Sequence, residues 1–367
     1  MKTVKRYLGV ALLLVALSLS LLSAAAQNAA VLPDRGWLSG GLAWSPDSTQ
    51  LAIGSSLGVW IYAVDTWKDV LFRGDQTYID SLDWSPDGRE IATSSNGIID
   101  IWDTTTGALF MTLDTGIPNR ASMLSWSPCG TLLASANWDG TVRLWNTTNG
   151  DIAHVLEIPL DESVSVTPWS VDWSPDGDRL IVNGITIWDV KTGAMLREWT
   201  KVDKTSLVTW QPNGDWIATS TYDGHIEIRD VPDGNIVIRL AGHPVIVTAL
   251  AWHPYGEQLA SIGGVDYTFE GPGSPSSQVK IWDVTTGEMI TELAKGVTTG
   301  DSMFYQYALA WSPDGRWLAS TSDDGTVHLW DTTSWELVRV DGRFYSLVHT
   351  DDYISPTQIP AAPSNSN

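Results

Sequence analysis

Cysteine is all but missing. Cys129 is the single one in 367 residues, so no intramolecular disulfide can staple this chain. Basic residues are scarce as well. Lysine and arginine total 21 against 43 aspartates and glutamates, a formal charge of −22. A surface that acidic opposes nucleic acid and anionic membrane and favours solubility and cationic partners. The 6 histidines are scattered, with no H-x-x-x-H or H-E-x-x-H spacing to hold zinc. No D-x-D-x-D-G loop is present, so Asp323-Asp324-Gly325 and Asp351-Asp352 read as solvated acid rather than as a calcium site. Long helical periodicity is absent. One extended apolar run occurs, from 8 to 22, behind Lys2, Lys5 and Arg6 and ahead of Ser23-Ala24-Ala25-Ala26. That plan predicts a secretory signal peptide over 1–26, cleaved before Gln27, and an exported mature chain with no stable membrane insertion. An uncleaved anchor is the alternative, because the run is near the length needed to span a bilayer.

What the chain has instead is repetition. Trp84-Ser85-Pro86-Asp87-Gly88 has near-copies at Trp44, Trp126, Trp173, Trp210, Trp252 and Trp311, seven in all, with Gln211-Pro212-Asn213 and His253-Pro254-Tyr255 the furthest from it. Serine at turn position i, proline presetting φ at i+1 and glycine at i+3 define a type I turn. Apolar strands flank it, so each copy is a β-hairpin with a bulky aromatic at its base. A second stretch follows every hairpin: Ile101-Trp102-Asp103, Leu144-Trp145-Asn146, Ile187-Trp188-Asp189, Ile228-Arg229-Asp230, Ile281-Trp282-Asp283 and Leu329-Trp330-Asp331, with Ile61-Tyr62-Ala63 a worn first copy. Most of these alternate apolar and polar residues before the Trp-Asp, the pattern of a half-buried strand.

A hairpin plus a Trp-Asp strand every ~40 residues matches the period of a propeller blade. The sequence resembles the WD-repeat (WD40) family over nearly all of the mature chain. That resemblance implies an all-β fold: one seven-bladed β-propeller of four-stranded antiparallel blades over 37–340. The repeat hairpins fall at about 38–66, 78–107, 120–150, 167–193, 204–234, 246–287 and 305–335. Residues 27–36 form a lead-in, and 341–367 an extension ending in a Pro/Ser/Asn tail that reads as disordered. Glu336-Leu337-Val338-Arg339-Val340 is expected to be the outer strand of the last blade. A strand from residues 30–32, closing the ring from the N-terminal side, is the alternative.

The family's hydrogen-bonded network joins a Gly-His histidine, a strand hydroxyl, a turn aspartate and the Trp-Asp tryptophan. His243 supplies the one such histidine, and Asp139, Asp223 and Asp324 match the turn aspartate. Asn96 and Arg229 depart from the pattern, which leaves the network incomplete and its contribution to rigidity in question.

Loop lengths are uneven. Extra residues lie between 262 and 278, and the connections 158–169 and 295–305 are long. By the resemblance these lie on the narrow face, while the Ser-Pro-Asp-Gly and Thr-Gly turns of the wide face keep one length. Positions that usually point to the narrow face hold Trp138, Tyr222 and Asp323, and also Tyr78, Asp80, Arg120, Trp169, Lys204, Tyr305 and Tyr307. Aromatic and arginine side chains are enriched at binding hot spots. The resemblance therefore implies a non-enzymatic scaffold that binds a protein or peptide through that face, with no cofactor and no metal. A propeller that takes carbohydrate or another small ligand in its central channel, stacking it on Trp138, Trp169 and Tyr222, is the second reading. A propeller hydrolase is the third, but no acids, bases or metal ligands converge in the sequence. Gly54-Ser55-Ser56-Leu57-Gly58 matches the G-x-S-x-G pattern, yet a strand rather than a helix follows it, so it reads as a loop. Asn146-Thr147-Thr148 fits a glycosylation sequon at a strand end.

Overall fold

The computed structural model describes residues 38–66, 68–73, 78–117, 121–159, 170–183, 186–199, 205–244, 246–263, 278–293, 308–321 and 326–341. They form seven four-stranded antiparallel sheets, the blades of a β-propeller, each a simple meander in chain order. Blades 1 to 7 span 38–73, 81–114, 121–157, 171–198, 205–240, 247–293 and 309–341. The strands of a blade are named a to d from the central channel outward. The last blade is completed by Leu337–Asp341 pairing with Val327–Asp331, as the sequence led us to expect. Residues 30–32 lie outside the described residues.

The two motifs are spaced as they are because they meet in one row. In blade 2, Trp84 pairs with Ile91 and Ile91 with Trp102. Register partners project from the same side of a sheet, so both tryptophans and the isoleucine between them share one face. Trp126, Leu133 and Trp145 repeat this in blade 3, and Trp311, Leu318 and Trp330 in blade 7. That aromatic face packs on the small and β-branched residues of the blade before it. Trp126, Leu133 and Trp145 lie against Ala92, Ile99 and Ile101. Trp44, Leu51 and Tyr62 lie against Ala319, Val327 and Leu329, which closes blade 1 onto blade 7.

The turns explain the acidity. Asp87 accepts from the Ser85 hydroxyl at 2.7 Å, while that hydroxyl accepts the Glu90 N–H at 3.0 Å. The serine bond holds the Asp47, Asp87 and Asp176 carboxyls below the usual carboxylate range. In the c–d turn, Asp103 accepts two backbone N–H groups, of Thr105 and Thr106, and the Thr106 hydroxyl. Much of the negative charge is therefore turn architecture.

A second role of the hairpin tryptophan is not visible in the sequence. Its indole N–H crosses to the preceding blade and donates to the carbonyl just before that blade's own motif tryptophan. Trp44 reaches Ala310 at 3.0 Å, Trp84 Ala43 at 3.2 Å, Trp173 Ser125 at 3.0 Å, Trp252 Thr209 at 3.1 Å and Trp311 Ala251 at 3.0 Å. Two seams are joined differently, and both have aspartate at that position. Asp83 accepts the Trp84 N–H at 2.9 Å and the Trp126 N–H across the seam at 2.8 Å, with Ser81 accepting the Leu124 N–H at 3.1 Å. Asp172 takes the Trp210 N–H at 2.6 Å and the Thr209 hydroxyl at 3.0 Å, with Ser170 accepting the Val208 N–H at 3.0 Å. A strand at a sheet edge leaves N–H groups unpaired. The Ser-x-Asp pairs Ser81/Asp83 and Ser170/Asp172 satisfy them from the neighbouring blade. At these seams Trp210 turns its indole to its own Gly214 carbonyl, and the buried Trp126 indole N–H has no hydrogen-bond partner.

Two predictions follow from the seams. Trp84→Phe and Trp126→Phe delete the same ring atoms, but the first also breaks a seam bond. Denaturant unfolding should show Trp84→Phe as the more destabilising by about 1 kcal/mol, the net worth of one buried hydrogen bond; equal losses would deny the bond its role. The second concerns pH. Burial pushes the Asp83 carboxyl up from 3.8 to about 7, outweighing the two N–H groups it accepts. Between these values the folded chain holds a proton that the unfolded chain has lost. Asp83 thus contributes stability that is complete below the window and falls as pH rises through it. The melting temperature of Asp83→Asn should decline less between pH 4 and 7 than that of the unsubstituted chain, and parallel curves would contradict this.

Candidate functional site

Antiparallel meanders put the a–b and c–d turns on one face of the ring and the b–c and d–a connections on the other. Trp138 and Tyr222 sit in b–c turns and Tyr78 in the d–a connection before blade 2, so all three belong to the second face. They are among its exposed large side chains, at 39%, 51% and 37% exposure. Asp80 lies beside Tyr78, half-buried, with its N–H bonded to the Ser94 carbonyl at 2.8 Å. Arg120, Trp169, Lys204, Tyr305, Tyr307, Asp323 and Asp324 lie outside the described residues, so the structure brings together only the blade 2, 3 and 5 part of the expected surface. Two neighbours on this face were not anticipated. Leu57 is exposed in the b–c turn of blade 1. Arg143 binds the Asp139 carboxylate at 2.8 Å and the Thr115 carbonyl, tying the Trp138 turn to the end of blade 2. A single arginine in an alternating strand gives no sequence signal for such a bridge.

The turn aspartates do not reach the histidine network. Asp139 accepts from the Thr141 N–H and hydroxyl at 3.0 and 2.7 Å, and Asp223 pairs with Thr221 and, at 3.1 Å, with His225. Each closes its own turn, because neither blade 3 nor blade 5 offers a Gly-His histidine to join. His243 does join a network. Its Nε2 lies 2.8 Å from the Ser261 hydroxyl, which also accepts the Trp282 indole N–H at 2.8 Å. Burial, reinforced by the Lys280 charge, pushes this imidazole down to about 3, so it is neutral at pH 7. Gly242 makes the approach possible: at φ 62° it leads the His243 N–H to the Gly224 carbonyl at 2.9 Å, where a side chain would collide.

The indole-to-hydroxyl half of the network is retained widely. Trp102 donates to Thr93, Trp145 to Ser135, Trp188 to Thr186 and Trp330 to Ser320, at 2.9 to 3.2 Å. Blade 5 replaces it with charge. Arg229 is buried, bonded to the fully buried Glu227 and, at 2.8 Å, to the Gly234 carbonyl, and Arg239 binds the other Glu227 oxygen. Among the described residues the tryptophan–hydroxyl bond is thus present in blades 2, 3, 4, 6 and 7, and a histidine joins it in blade 6.

The central channel encloses about 290 Å³. Ser81, Asp83, Ser125, Asp172, Thr209 and Thr248 line it among apolar residues such as Leu42, Leu124, Leu250 and Leu309. Trp138 and Tyr222 stand on b–c turns rather than among the inner-strand residues that line it. Ser56 lies in a tight hairpin between strands that pair Ser55 with Gly58, not at a strand-to-helix turn. Among the described residues no three His, Cys, Asp or Glu side chains could hold a metal together.

Comparison with known proteins agrees with this geometry. Residues 68–103, 119–146, 234–283 and 298–331 match the family model "WD domain, G-beta repeat", and 187–254 match the "Anaphase-promoting complex subunit 4 WD40 domain". "Periodic tryptophan protein 2" of Arabidopsis thaliana is 25% identical over 290 residues, which is 78% of this chain and 25% of that protein. "Protein HIR1" of Cryptococcus neoformans is 28% identical over 203 residues, 46% of this chain and 21% of its own length. The alignments thus span about a quarter or less of these relatives. An "Uncharacterized WD repeat-containing protein" of Synechocystis is 28% identical over 147 residues, 39% of this chain and 37% of that protein. A chain in the "Crystal Structure of Mitotic Checkpoint Complex" superposes with TM-score 0.65 at 22% identity, covering 79% of this chain and 86% of that one. At that identity the likeness shows the fold. Matches and architecture together support placing the chain among WD40-repeat proteins.

The His243 network is open to a direct check. Ser261→Ala strips two buried groups of a partner, whereas Ser320→Ala strips one, the Trp330 indole. Unfolding experiments should find Ser261→Ala the more damaging by about 1–3 kcal/mol, the cost of one more unsatisfied buried group. Equal effects would mean that His243 does not depend on Ser261.

Proposed function

We propose that this chain is an exported, non-enzymatic scaffold that binds a protein or peptide partner through the face carrying its b–c and d–a connections. The observation that carries the reading is the exposure of Trp138, Tyr222 and Tyr78 on that one face. Large aromatics are ordinarily spent on burial in this fold, and exposed aromatic patches on a rigid ring are where contacts form. Varying loop length on the same face points the same way, since loops on a rigid scaffold carry function. WD40 relatives whose names speak of partners, such as "Actin-interacting protein 1" of Drosophila melanogaster, are consistent with a binding role. Export rests on the N-terminal pattern of basic residues, apolar run and small residues.

A pull-down with chain beginning at Gln27, from the exported fraction of the source cells, supplies the partner. Trp138→Ala and Tyr222→Ala should then weaken binding about thirtyfold, the equivalent of ~2 kcal/mol for an aromatic hot spot, with melting unchanged. Thr105→Ala and Thr285→Ala, in c–d turns of the opposite face, should bind within about twofold of the unsubstituted chain. Normal binding by the aromatic variants with failure of the threonine variants would place the site on the other face. Recovery of the protein from cytosol with Met1 intact would remove the export part alone.

A further inference from the structure

Where the hairpin indole closes a seam, its acceptor is the carbonyl of Ala310, Ala43, Ser125, Thr209 or Ala251. The residue before the motif tryptophan is thus small or hydroxylic at those joints. Blades 2 and 4 set Asp83 and Asp172 there instead. The exchange is unfavourable in two ways. Burial disfavours both carboxylate charges, and the Trp126 indole N–H is left buried without a hydrogen-bond partner. Since a small residue closes the other seams, closure alone does not call for a carboxylate at either position.

What the two aspartates share is the channel. Both line its cavity of about 290 Å³. The wall is built from residues that precede the motif tryptophans, from Thr248, four before Trp252, to Asp83, next to Trp84. The cavity therefore lies between the row of motif tryptophans and the face of the b–c and d–a connections. Hydroxyls of Ser81, Ser125, Thr209 and Thr248 stand in the same wall. No lysine, arginine or histidine is among the residues that line it, so Asp83 and Asp172 are its only titratable groups. Burial raises them, to about 7 and about 6, and the Asp172 charge adds to the push on Asp83. The two thus lie close enough to feel one another.

Both carboxyls are fixed in place and keep room for a ligand. Asp83 accepts the Trp84 and Trp126 N–H groups, and Asp172 those of Trp173 and Trp210 with the Thr209 hydroxyl. A carboxylate can accept about four hydrogen bonds, so each retains capacity. Fixed acceptors with no cation in the wall suit a positive charge brought from outside. The volume is at the low end for ligand sites, which suits one side chain rather than a folded segment. Arginine fits best. Its guanidinium is more weakly hydrated than an ammonium and spreads five donors over a plane, enough to meet both carboxylates and nearby hydroxyls. Its stem would pass Leu42, Leu250 and Leu309. The field of a chain at −22 draws basic segments toward such a mouth. We infer that the central channel receives an arginine side chain of the protein partner, held by Asp83 and Asp172. This rests on the proposed partner at the b–c and d–a face and names the chemistry of its anchor.

Short peptides test the channel without the partner. The probes are acetyl-Gly-Gly-Arg-Gly-Gly-amide and the same peptide with citrulline or lysine in place of arginine. Titrated into the full chain at pH 7, the arginine peptide should bind about tenfold more tightly than the citrulline peptide, which has nearly its shape and no charge. It should also bind more tightly than the lysine peptide. Calorimetry at pH 6 in two buffers of different ionisation enthalpy should show about one proton released per arginine peptide, because a cation beside Asp83 and Asp172 drives off protons that burial holds there. The chain carrying Asp83→Asn and Asp172→Asn should lose the preference for arginine over citrulline; if that chain does not fold, the proton count on the unsubstituted chain decides. Equal binding of the arginine and citrulline peptides would overturn the inference. So would arginine binding with no proton released, which would place the peptide on outer carboxylates already ionised at pH 6. Lysine binding as tight as arginine would overturn the choice of arginine. A partner from the pull-down that is weakened by Trp138→Ala but binds the folded double aspartate variant normally would overturn the channel anchor and leave the face reading standing. Proton-releasing arginine binding beside a partner indifferent to Trp138→Ala and Tyr222→Ala would keep the channel site and remove the face reading.

Discussion

The ring depends on one bond type repeated from blade to blade, the indole N–H of the hairpin tryptophan given to a carbonyl of the preceding inner strand. A blade by itself exposes both faces of its sheet, and its inner edge carries unpaired backbone groups. Tryptophan answers both needs at once. Its ring covers the small residues of the neighbouring blade, and its N–H reaches past them to that blade's backbone. Where the neighbour has Asp83 or Asp172 in place of Ala, Ser or Thr, the polarity of the joint reverses. The carboxylate now reaches forward to the backbone N–H groups, and the indole loses its acceptor. The two joints do the same mechanical work, but only the carboxylate joint responds to protons.

Charge follows from the same economy of short turns. The Ser-Pro-Asp-Gly turns and the Asp103 and Asp283 turns use an aspartate as acceptor for backbone N–H groups within a few residues. The acidity is therefore distributed over the turn face in small, hydrogen-bonded units rather than gathered at a site. Side chains that break the rule stand out against it. Arg229 and Glu227 exchange an aromatic contact for a buried ion pair, and His253, Tyr255 and Trp335 exchange turn polarity for aromatic surface. Arg229 binds Glu227 and the Gly234 carbonyl inside the blade while its buried Nε has no hydrogen-bond partner, and Tyr255 stays 64% exposed.

Period and turn chemistry made the architecture legible before any coordinates. Trp, Ser-Pro-Asp-Gly and Trp-Asp recur at intervals that admit one meander per repeat, and the seven-blade count follows from them; the closing strand was expected at 336–340 with residues 30–32 as the alternative, and pairing places it at Leu337–Asp341. The candidate face was legible only in part. The resemblance placed Trp138 and Tyr222 on it from their position before a turn aspartate, and the strand order puts both in b–c turns of that face. The partners of Asp139 and Asp223 could not be placed, since a carboxylate in a turn can close that turn or reach a histidine, and which it does depends on what the adjacent loop brings within 3 Å. Arg143 was missed for the same reason.

What the sequence determined by itself is whatever is local or periodic: the turn types, the alternation of the strands, the repeat number and the acidic character. These rest on backbone preferences and side-chain spacing within about 40 residues. The tertiary structure alone decided which groups meet across a seam. Asp83 finds the Trp126 N–H 43 positions away, Trp44 finds the Ala310 carbonyl 266 positions away, and His253 of blade 6 meets the Trp311 ring of blade 7 at 4.7 Å. Such pairings have no signature in a single repeat. They come into being only when the ring closes and each blade's edge is held against its neighbour.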